Sequence, residues 1–470
     1  MKIKFCGAAR YVTGSCHLVT LDSGLKILLD CGLFQGRGKN IWEKNNNWLF
    51  NPSDIDVLIL SHAHIDHTGR VPKLVKDGFR GRIISTHATR SLCAIMLLDS
   101  AYIQVRDVEY YNKKLLKKRT KDKWKNIREP LYSTKDVEKT MSLFLTCAYD
   151  TWTSIHPDVN ILFRDAGHIL GSSSVTLEIK EGGKKRTLAF TGDIGRPNRP
   201  ILKDPRPMPE ADFVIAESTY GYKLHEGQPA QLDRFLSIVN NTCVKKGGKL
   251  IIPAFSVGRT QEIVYMLDQL ESSGQLPKIP VYVDSPLAVN ATEVFGIHPE
   301  CFDQELNTYM QTDPNPFGFN DLHYVRSVAE SKRINAMNKP CIVISSSGMM
   351  NFGRVRHHMY NTIEDKRNTF LIVGYCSPGT TGGQLKSGAA AVKIFGDWKT
   401  VRADVEVMDS FSAHGDQREM HDVLENQKKS ATHMFLVHGE LDRQEVYKNY
   451  LESDGFKGIH IPELGEEVVL

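Results

Sequence analysis

A short segment in the first part of the chain concentrates side chains that bind metal ions. Residues 61–69 read Ser-His-Ala-His-Ile-Asp-His-Thr-Gly and directly follow the apolar run 57–60. Imidazole nitrogen with some carboxylate oxygen is the donor set that zinc-class divalent ions prefer. His62 and His64 share one side of an extended chain, and Asp66 and His67 are placed after the turn to reach a second ion. The spacing favours a metal site over a polar helix start with incidental histidines.

Two further ligand candidates stand after later strand-like runs. His168 lies in Ala-Gly-His-Ile-Leu-Gly-Ser at 166–172, and Asp193 lies in Phe-Thr-Gly-Asp-Ile-Gly at 190–195. The flanking glycines let the backbone come close to a metal centre. Either residue alone is typical of a polar turn. Their common position at strand ends predicts that they complete the site begun at 61–69.

The elements that must position these residues change character along the chain. Short strand-like runs broken by Gly and Asp, such as 2–7, 57–60 and 82–86, fill much of the first 200 residues and predict a layered α/β fold. Beyond about 200, strand-like runs alternate with helix-like stretches, which is typical of parallel βαβ units in an open sheet. We therefore expect a second domain, after which strands resume near 396.

Composition excludes several classes of protein. At 470 residues, 41% hydrophobic and 24% charged, the chain is long enough for two or three packed domains and is not disordered. No stretch has the ~20 apolar residues of a membrane helix, and the start lacks a signal-peptide pattern. The nine cysteines are scattered without CxxC pairs, which indicates a reducing cytoplasm.

Charge is informative only locally. The 59 Lys and Arg against 55 Asp and Glu give +4, which does not by itself imply a polyanionic partner. Residues 113–128 nevertheless hold nine Lys or Arg with Asp122 as the sole acid. A solvated helix face is the default interpretation of such a run, and contact with RNA stays open as the alternative.

The segment 62–67 with His168 and Asp193 resembles the signature of the metallo-β-lactamase superfamily, whose fold is an αββα sandwich. Asp30 matches that superfamily's early aspartate, which supports the metal loop by hydrogen bonding. Further motifs in the second half resemble the β-CASP group of nucleases and follow its expected order. They are residues 216–221, 255–262, 345–349, 374–376, 411–416 and 436–440.

The resemblance implies a domain plan and a substrate. A metallo-β-lactamase domain at 1–205 and 396–470 would carry an inserted, mainly parallel β-CASP domain at 206–395. The last motif has histidine in RNA-processing members and an aliphatic residue in DNA nucleases, and this chain has His438, so single-stranded RNA is the implied substrate. The kin implied are the nuclease subunit of cleavage and polyadenylation specificity factor and its prokaryotic relatives. We expect no dedicated RNA-binding module and consider a homodimer.

The resemblance also implies roles for individual residues. Two Zn²⁺ per chain, or other ions such as Mn²⁺, would hold a hydroxide between them, with Asp193 bridging and Asp66 counted among the catalytic residues. His414, oriented by Glu217, would act as general acid. The implied ligands are His62, His64 and His168 for one ion and Asp66, His67 and His438 for the other.

Phosphate binding would fall to the second domain. The run Ser345, Ser346, Ser347 and Gly348 follows a buried strand-like segment and offers amides and hydroxyls. Arg259 and Arg354 would add charge-assisted donors, and turn or helix-cap chemistry stays open as the alternative for each residue.

The sequence thus predicts a metal-dependent ribonuclease of RNA processing or decay. Two alternatives stay open, which are a small-molecule hydrolase of the thioesterase or lactonase type and a non-catalytic RNA-binding subunit. A lid of roughly 190 residues argues against the first alternative. The filled ligand positions argue against the second. Endonuclease or exonuclease mode stays open.

Overall fold

The computed structural model describes residues 1–36, 40–117, 127–225, 231–374, 376–377, 379–408 and 413–470. The chain forms two compact units, one made of Met1–Leu224 and His414–Leu470 and the other of His225–Ala413. The first unit is therefore built from both ends of the chain. The domain bounds expected from the sequence, 205/206 and 395/396, stay a prediction beside these contact-based bounds.

Unit one contains two seven-stranded sheets in the described residues. The first sheet has the order β22-β1-β2-β3-β4-β5-β6, with β1 to β3 antiparallel and β3 to β6 parallel. Its strands are Lys2–Gly7 (β1), Cys16–Thr20 (β2), Lys26–Leu29 (β3), Val57–Ile59 (β4), Arg82–Thr86 (β5), Phe144–Cys147 (β6) and Glu467–Val469 (β22).

The second sheet has the order β21-β20-β11-β10-β9-β8-β7, so a strand from near the C-terminus pairs with one from the middle of the chain. β20 is parallel to β11, with Val437 opposite Glu217, and β11 is parallel to β10. The ends of β10, β11 and β20 therefore meet at one edge. The strands are Thr153–His156 (β7), Val159–Asp165 (β8), Ser173–Glu181 (β9), Lys184–Phe190 (β10), Phe213–Glu217 (β11), His433–Val437 (β20) and Ile459–His460 (β21).

One apolar core joins the two sheets of unit one. It combines Phe5 and Ile27 of the first sheet with Phe163, Ile215 and Phe435 of the second, all buried. Helices cover the outer faces, since Met420 and Tyr447 pack on the second sheet and the helix His87–Leu116 packs against β5 and β6 of the first. The layers form the predicted αββα sandwich. The helices are Ile41–Asn46 (α1), Ile65–Thr68 (α2), Val71–Lys76 (α3), His87–Leu116 (α4), Thr134–Met141 (α5), Gln417–Leu424 (α13) and Leu441–Ser453 (α14).

Unit two is an open α/β layer, as the alternation of strands and helices predicts. Its six-stranded sheet has the order β14-β13-β15-β12-β16-β19 and is parallel throughout. A separate two-stranded hairpin consists of β17 and β18. The strands are Lys249–Pro253 (β12), Val281–Val283 (β13), Leu322–Tyr324 (β14), Cys341–Ser345 (β15), Thr369–Ile372 (β16), Ala391–Ile394 (β17), Asp397–Thr400 (β18) and Asp404–Val407 (β19).

The helices of unit two pack around this sheet. Met359 and Ile363 join strand residues Val343 and Phe370 in a buried core that also includes Val392 of the hairpin. The helices are Gln231–Val239 (α6), Arg259–Ser272 (α7), Pro286–Gly296 (α8), Gln304–Tyr309 (α9), Val328–Ala336 (α10), Val355–Thr362 (α11) and Thr381–Lys386 (α12).

Three sequence expectations concern single features. None of the helices in the described ranges has the length and apolar character needed to span a bilayer. All nine cysteines are free and buried. The basic run begins in the last turn of α4, but residues 118–126 lie outside the described residues.

Candidate metal centre

The segment 61–69, predicted to bind metal, forms a tight turn that carries His62 and His64 after β4 and then the short helix α2, which carries Asp66 and His67. The Thr68 hydroxyl donates to the carbonyls of Ala63 and His64, at 3.1 and 3.0 Å. These bonds hold the turn against the helix α2. The Asp66 carbonyl would lie 1.6 Å from a Cβ at Gly32. Only glycine therefore lets the preceding loop approach this closely.

The first ligand cluster consists of His62, His64, His168 and Asp193, which present ligand atoms within 4.8 Å of one another. His64 Nδ1 lies 3.1 Å from both His62 Nε2 and His168 Nε2. Asp193 Oδ2 lies 3.5 Å from the same two Nε2 atoms. Residues more than 100 positions apart in the chain thus point donors at one small volume.

The second cluster consists of Asp66, His67 and His438. Nε2 of His67 lies 3.1 Å from Nε2 of His438, which in turn lies 3.6 Å from Asp66 Oδ2. Asp193 Oδ1 lies 3.3 Å from His67 Nε2 and 3.7 Å from His438 Nε2. One oxygen of Asp193 therefore faces each cluster.

The donor sets fit metal ions. Two nitrogen ligands of a tetrahedral zinc ion, each at ~2.0–2.1 Å from the metal, are about 3.3 Å apart. The nitrogens of both clusters have nearly this spacing. Asp193 Oδ1 is buried and lacks a hydrogen bond of good geometry in the described residues, which is costly for a carboxylate oxygen unless a ligand compensates it.

Protonation differs between the clusters. Burial, with the neighbouring imidazoles, lowers the pKa of His62 and His168 well below the usual value, and that of His64 to about 4. These rings are neutral at pH 7 and offer lone pairs without losing a proton. Burial alone would also lower the pKa values of His67 and His438, but Asp193 and the adjacent carboxylates raise both.

Asp30, which the resemblance implies as a support of the metal loop, lies behind the segment 61–69. Its fully buried carboxylate accepts the Ser61 backbone N–H at 2.8 Å, and its Oδ2 lies 2.7 Å from His67 Nδ1. Because Asp30 accepts the Nδ1 proton, the lone pair of His67 is left on Nε2, which faces the second cluster. The carboxylate therefore orients a candidate ligand.

His438 has an orienting partner that sequence reasoning missed. Its backbone is left-handed, with φ of 55°, and its N–H donates to Ala8 O at 2.7 Å. Its Nδ1 lies 2.9 Å from the hydroxyl oxygen of Thr219, which donates to the His438 carbonyl at 3.0 Å. Thr219 lies within the 216–221 motif, but nothing in its residue type marks it as the partner of a residue 219 positions away.

His414 and Glu217 meet beside the first cluster. His414 Nδ1 lies 3.3 Å from Glu217 Oε2 and 3.8 Å from Asp193 Oδ2. Burial alone would lower the pKa of His414, but the Glu217 carboxylate raises it to about 9. The backbone N–H of Ile194 donates to Glu217 Oε1, and a β-bridge joins Gly195 to His414. Asp193, Glu217 and His414 also form a possible ligand trio, so the acid role stays a prediction.

The residues predicted to bind phosphate lie in unit two at the carboxyl ends of parallel strands. Ser345 is buried and donates to the Asp284 carbonyl at 2.9 Å. The hydroxyl groups of Ser346 and Ser285 lie 2.9 Å apart. The Ser347 hydroxyl donates to Phe352 O at 3.3 Å, and Gly348 lies against the Phe255 ring.

The two predicted arginine donors already have carboxylate partners. Arg259 is 7% exposed and pairs with Glu262 on the same helix. Arg354 pairs with the buried Asp284 at 2.7 Å and donates to the Arg326 carbonyl at 2.6 Å. Each guanidinium would have to share or leave its carboxylate to bind phosphate, so this assignment stays a prediction.

Comparison with known proteins agrees with this geometry. Family models match at residues 10–223 for the metallo-β-lactamase superfamily, 260–385 for the β-CASP domain, and 398–462 for the Zn-dependent metallo-hydrolase RNA specificity domain. Ribonuclease TTHA0252 of Thermus thermophilus is 35% identical over 445 residues, covering 94% of each chain. The chain belongs to the β-CASP group of the metallo-β-lactamase superfamily. As a member of this group it is a metal-dependent hydrolase.

Other relatives of this β-CASP protein carry different names. Transcription termination factor FttA of Methanosarcina mazei is 32% identical over 455 residues, covering 94% of this chain and 67% of the relative. Cleavage and polyadenylation specificity factor 73 of Drosophila melanogaster is 30% identical over 459 residues, covering 97% of this chain and 62% of the relative. The family therefore includes proteins named for cleavage and for termination.

The expectation of no dedicated RNA-binding module was wrong. The RNA specificity domain matches residues 398–462, which include His414 and His438. The amino-acid composition of residues 398–462 does not mark them as a separate domain. Their elements β20, α13 and α14 form part of the second sheet of unit one and of the helices that cover it. Two residues of the matched region that belong to the 411–416 motif, Phe411 and Ser412, lie outside the described residues, as does Tyr375 of the 374–376 motif.

Proposed function

We propose that this β-CASP protein is a ribonuclease that hydrolyses phosphodiester bonds of single-stranded RNA with two zinc ions per chain. The observation that carries the proposal is the position of Asp193, whose two carboxylate oxygens face two separate clusters of candidate ligands. A single tetrahedral ion uses four ligands, whereas seven side chains converge here. The donor set also suits Mn²⁺ less well than zinc, because it contains five imidazoles.

In the proposed function each cluster binds one of the two ions. When bound, two such ions supply Lewis acidity toward the scissile phosphate and lower the pKa of a water molecule. His62, His64 and His168 would hold one ion and Asp66, His67 and His438 the other, with Asp193 facing both clusters. Asp30 keeps the His67 lone pair on Nε2, and Thr219 does the same for His438.

His414 is suited to protonate the leaving oxygen. Glu217 faces its Nδ1, so the opposite nitrogen, Nε2, carries the proton available to substrate. With a pKa raised to about 9, the ring is protonated at neutral pH. The carboxylate holds the ring in place and favours the charged form that an acid needs.

RNA is the proposed substrate because His438 occupies the position that is aliphatic in DNA nucleases of the group. The match to an RNA specificity domain and the similarity to a protein named ribonuclease support the same substrate. The nine free cysteines suit action in a reducing cytoplasm. RNA processing or decay is the proposed cellular role, and self-association is compatible with it.

The test is a cleavage assay on zinc-loaded protein with end-labelled RNA, in parallel with DNA of the same sequence and a panel of thioesters and lactones. We expect cleavage of RNA that a chelator abolishes and zinc restores. Equal or faster cleavage of DNA would contradict the substrate, and activity on thioesters or lactones alone would favour a small-molecule hydrolase. Binding of RNA without cleavage in any metal would favour a non-catalytic subunit.

Metal analysis tests the binuclear centre separately. We expect two zinc ions per chain in the wild type and lower occupancy of both sites in Asp193→Ala, since this residue contacts both clusters. Asp158→Ala, at a partly exposed aspartate outside both clusters, serves as the control and should keep both ions. A stoichiometry of one after zinc loading would contradict the proposal.

A further inference from the structure

The hairpin of unit two exposes aromatic rings beside unpaired positive charge. Trp398 is 70% exposed and lies directly opposite Lys393, which is also exposed, across the β17–β18 pair. The other face of the hairpin is buried, because Val392 and Ile394 belong to the core of unit two. Trp398 and Lys393 therefore share the outward face.

The tip of the same hairpin carries a second ring in an unusual backbone conformation. Phe395 has φ of 54° and is followed by Gly396 with φ of 104°. A bulky residue rarely adopts positive φ, and such residues persist where the surrounding structure holds them. Phe395 is nonetheless 46% exposed, so the fold keeps an aromatic ring at the tip without burying it.

A guanidinium and an imidazole lie against the Phe395 ring. The Arg356 guanidinium lies 4.2 Å from the ring centroid, and the His357 ring centroid lies 4.6 Å from it. In the described part of the chain, neither Arg356 nor Lys393 forms an ion pair with a carboxylate. The two nearby acids are occupied, since Asp397 accepts from Tyr360 and Glu364 pairs with Lys399.

We propose that the outward face of the hairpin, with Lys393 and Trp398, and its tip, with Phe395 and the adjacent Arg356, together bind single-stranded RNA, with bases stacked on the two rings and phosphates at the two cations. This surface is here called the hairpin platform. This proposal rests on the proposed function for its substrate class. Alternating stacking surfaces and positive charge are the general means by which proteins bind single strands without reading sequence. The match to the RNA specificity domain begins at Trp398 itself.

A second copy of the chain fits this face less well. In a two-fold dimer the same patch meets itself, which would bring the unpaired Lys393 and Arg356 toward their own copies. A polyanion without bases would pair with Lys393 and Arg356 but would leave the rings of Phe395 and Trp398 exposed to water. The combination of rings and cations therefore favours a strand that carries both phosphates and bases.

The test measures affinity by fluorescence anisotropy of a labelled RNA strand with chelator present, so that binding is separated from cleavage. Trp398→Ala should weaken RNA binding by about 5- to 150-fold, the range for loss of one stacked base. Trp398→Tyr, which keeps a ring, should restore most of the affinity. Trp152→Ala removes an exposed tryptophan of unit one and should have no effect.

Polyphosphate and oligomeric state distinguish the other occupants. Lys393→Ala should weaken binding of both RNA and polyphosphate, whereas Trp398→Ala should weaken RNA binding alone. Equal weakening of both ligands by Trp398→Ala, or no weakening, would overturn the proposal. A change from dimer to monomer in Trp398→Ala with unchanged RNA affinity would assign the platform to self-association. If wild-type protein cleaves RNA while Trp398→Ala binds it normally, the platform fails and the ribonuclease proposal stands.

Discussion

Thr219 Oγ1 lies 2.9 Å from His438 Nδ1 and 3.0 Å from the His438 carbonyl oxygen. The threonine hydroxyl has a single proton, which it donates to the carbonyl. Its oxygen is then left to accept the proton on Nδ1. This arrangement fixes the tautomer of His438 with the lone pair on Nε2, the atom that faces His67 and Asp66.

From this contact we expect Thr219→Val to weaken zinc binding at the Asp66, His67 and His438 cluster by about 10- to 100-fold, the usual effect of losing an orienting partner. Valine keeps the shape and removes both hydrogen bonds. Thr219→Ser keeps the hydroxyl and should bind zinc nearly as the wild type does. Competition with a chromophoric chelator measures both affinities, and equal affinity in the valine variant would contradict the orienting role.

The two clusters should respond differently to pH. The raised pKa values of His67 and His438 mean that metal must displace protons there, so affinity at that cluster should rise with pH below those pKa values. The lowered pKa values of His62, His64 and His168 mean that no such displacement occurs near pH 7.

Zinc titrations between pH 6 and pH 8 should therefore show one site whose affinity is nearly constant and one whose affinity falls as pH falls. Proton release on binding, measured by calorimetry in buffers of different ionisation enthalpy, should accompany the second site. Equal pH dependence of the two sites would contradict the assignment of protonation states.

His414→Ala should reduce the rate of RNA cleavage by about 10²- to 10⁴-fold while zinc content stays at the wild-type level, since loss of a general acid affects chemistry. The defect should be smaller on RNA with a 3′-thiolate leaving group, which departs without a proton. His438→Ala should instead lose metal. Loss of zinc in His414→Ala would make His414 a ligand, as its proximity to Asp193 and Glu217 allows.

Glu217→Gln should change the pH dependence of cleavage. The wild-type rate should fall as pH rises through about 9, because His414 loses its proton there. Removing the negative charge of Glu217 lowers the pKa of His414, so this descending limb should move to lower pH. The glutamine carbonyl can still accept the Ile194 N–H, which limits structural damage. Glu210→Gln, at an exposed position, should leave the profile unchanged.

Asp284 should matter for stability. Its fully buried carboxylate pairs with Arg354 at 2.7 Å and with His358 at 2.6 Å, and it accepts the Ser331 hydroxyl at 2.6 Å. Asp284→Ala leaves these groups without their anion and should lower the free energy of unfolding by about 3–5 kcal/mol. Asp365→Ala, at an exposed ion pair with Arg367, should leave stability almost unchanged.

The contribution of Asp284 to the free energy of unfolding should depend on pH, because the pKa of this residue is lowered in the folded protein. Burial alone would raise this pKa, but the contacts with His358, Ser331 and Arg354 lower it overall. Its contribution is therefore complete above the unfolded value of about 4 and is lost as pH falls through the lower folded value. The difference between wild type and Asp284→Ala, measured by urea unfolding, should shrink below pH 4.

Much of the fold and of the site was readable from local sequence. The run 61–69 concentrates four ligand-type residues within six positions after a buried strand, and the structure places two of them in the turn after β4 and two in the short helix α2. The apolar runs predicted as strands form strands, and the alternation beyond residue 200 forms a parallel sheet. These features depend on hydrophobic periodicity and turn chemistry, which act over a few residues.

The meeting of distant residues was decided by tertiary structure. β20 lies beside β11, which brings His438 to Thr219 and to the strand end that carries Asp193, and no local pattern encodes that order of strands. The division of Asp193 between two clusters and the pairing of Arg354 with Asp284 likewise depend on side-chain positions set by packing. The sequence shows which side chains are able to bind metal or to ionise. Their interactions act over a few ångströms, so the tertiary structure decides which of these side chains contact one another.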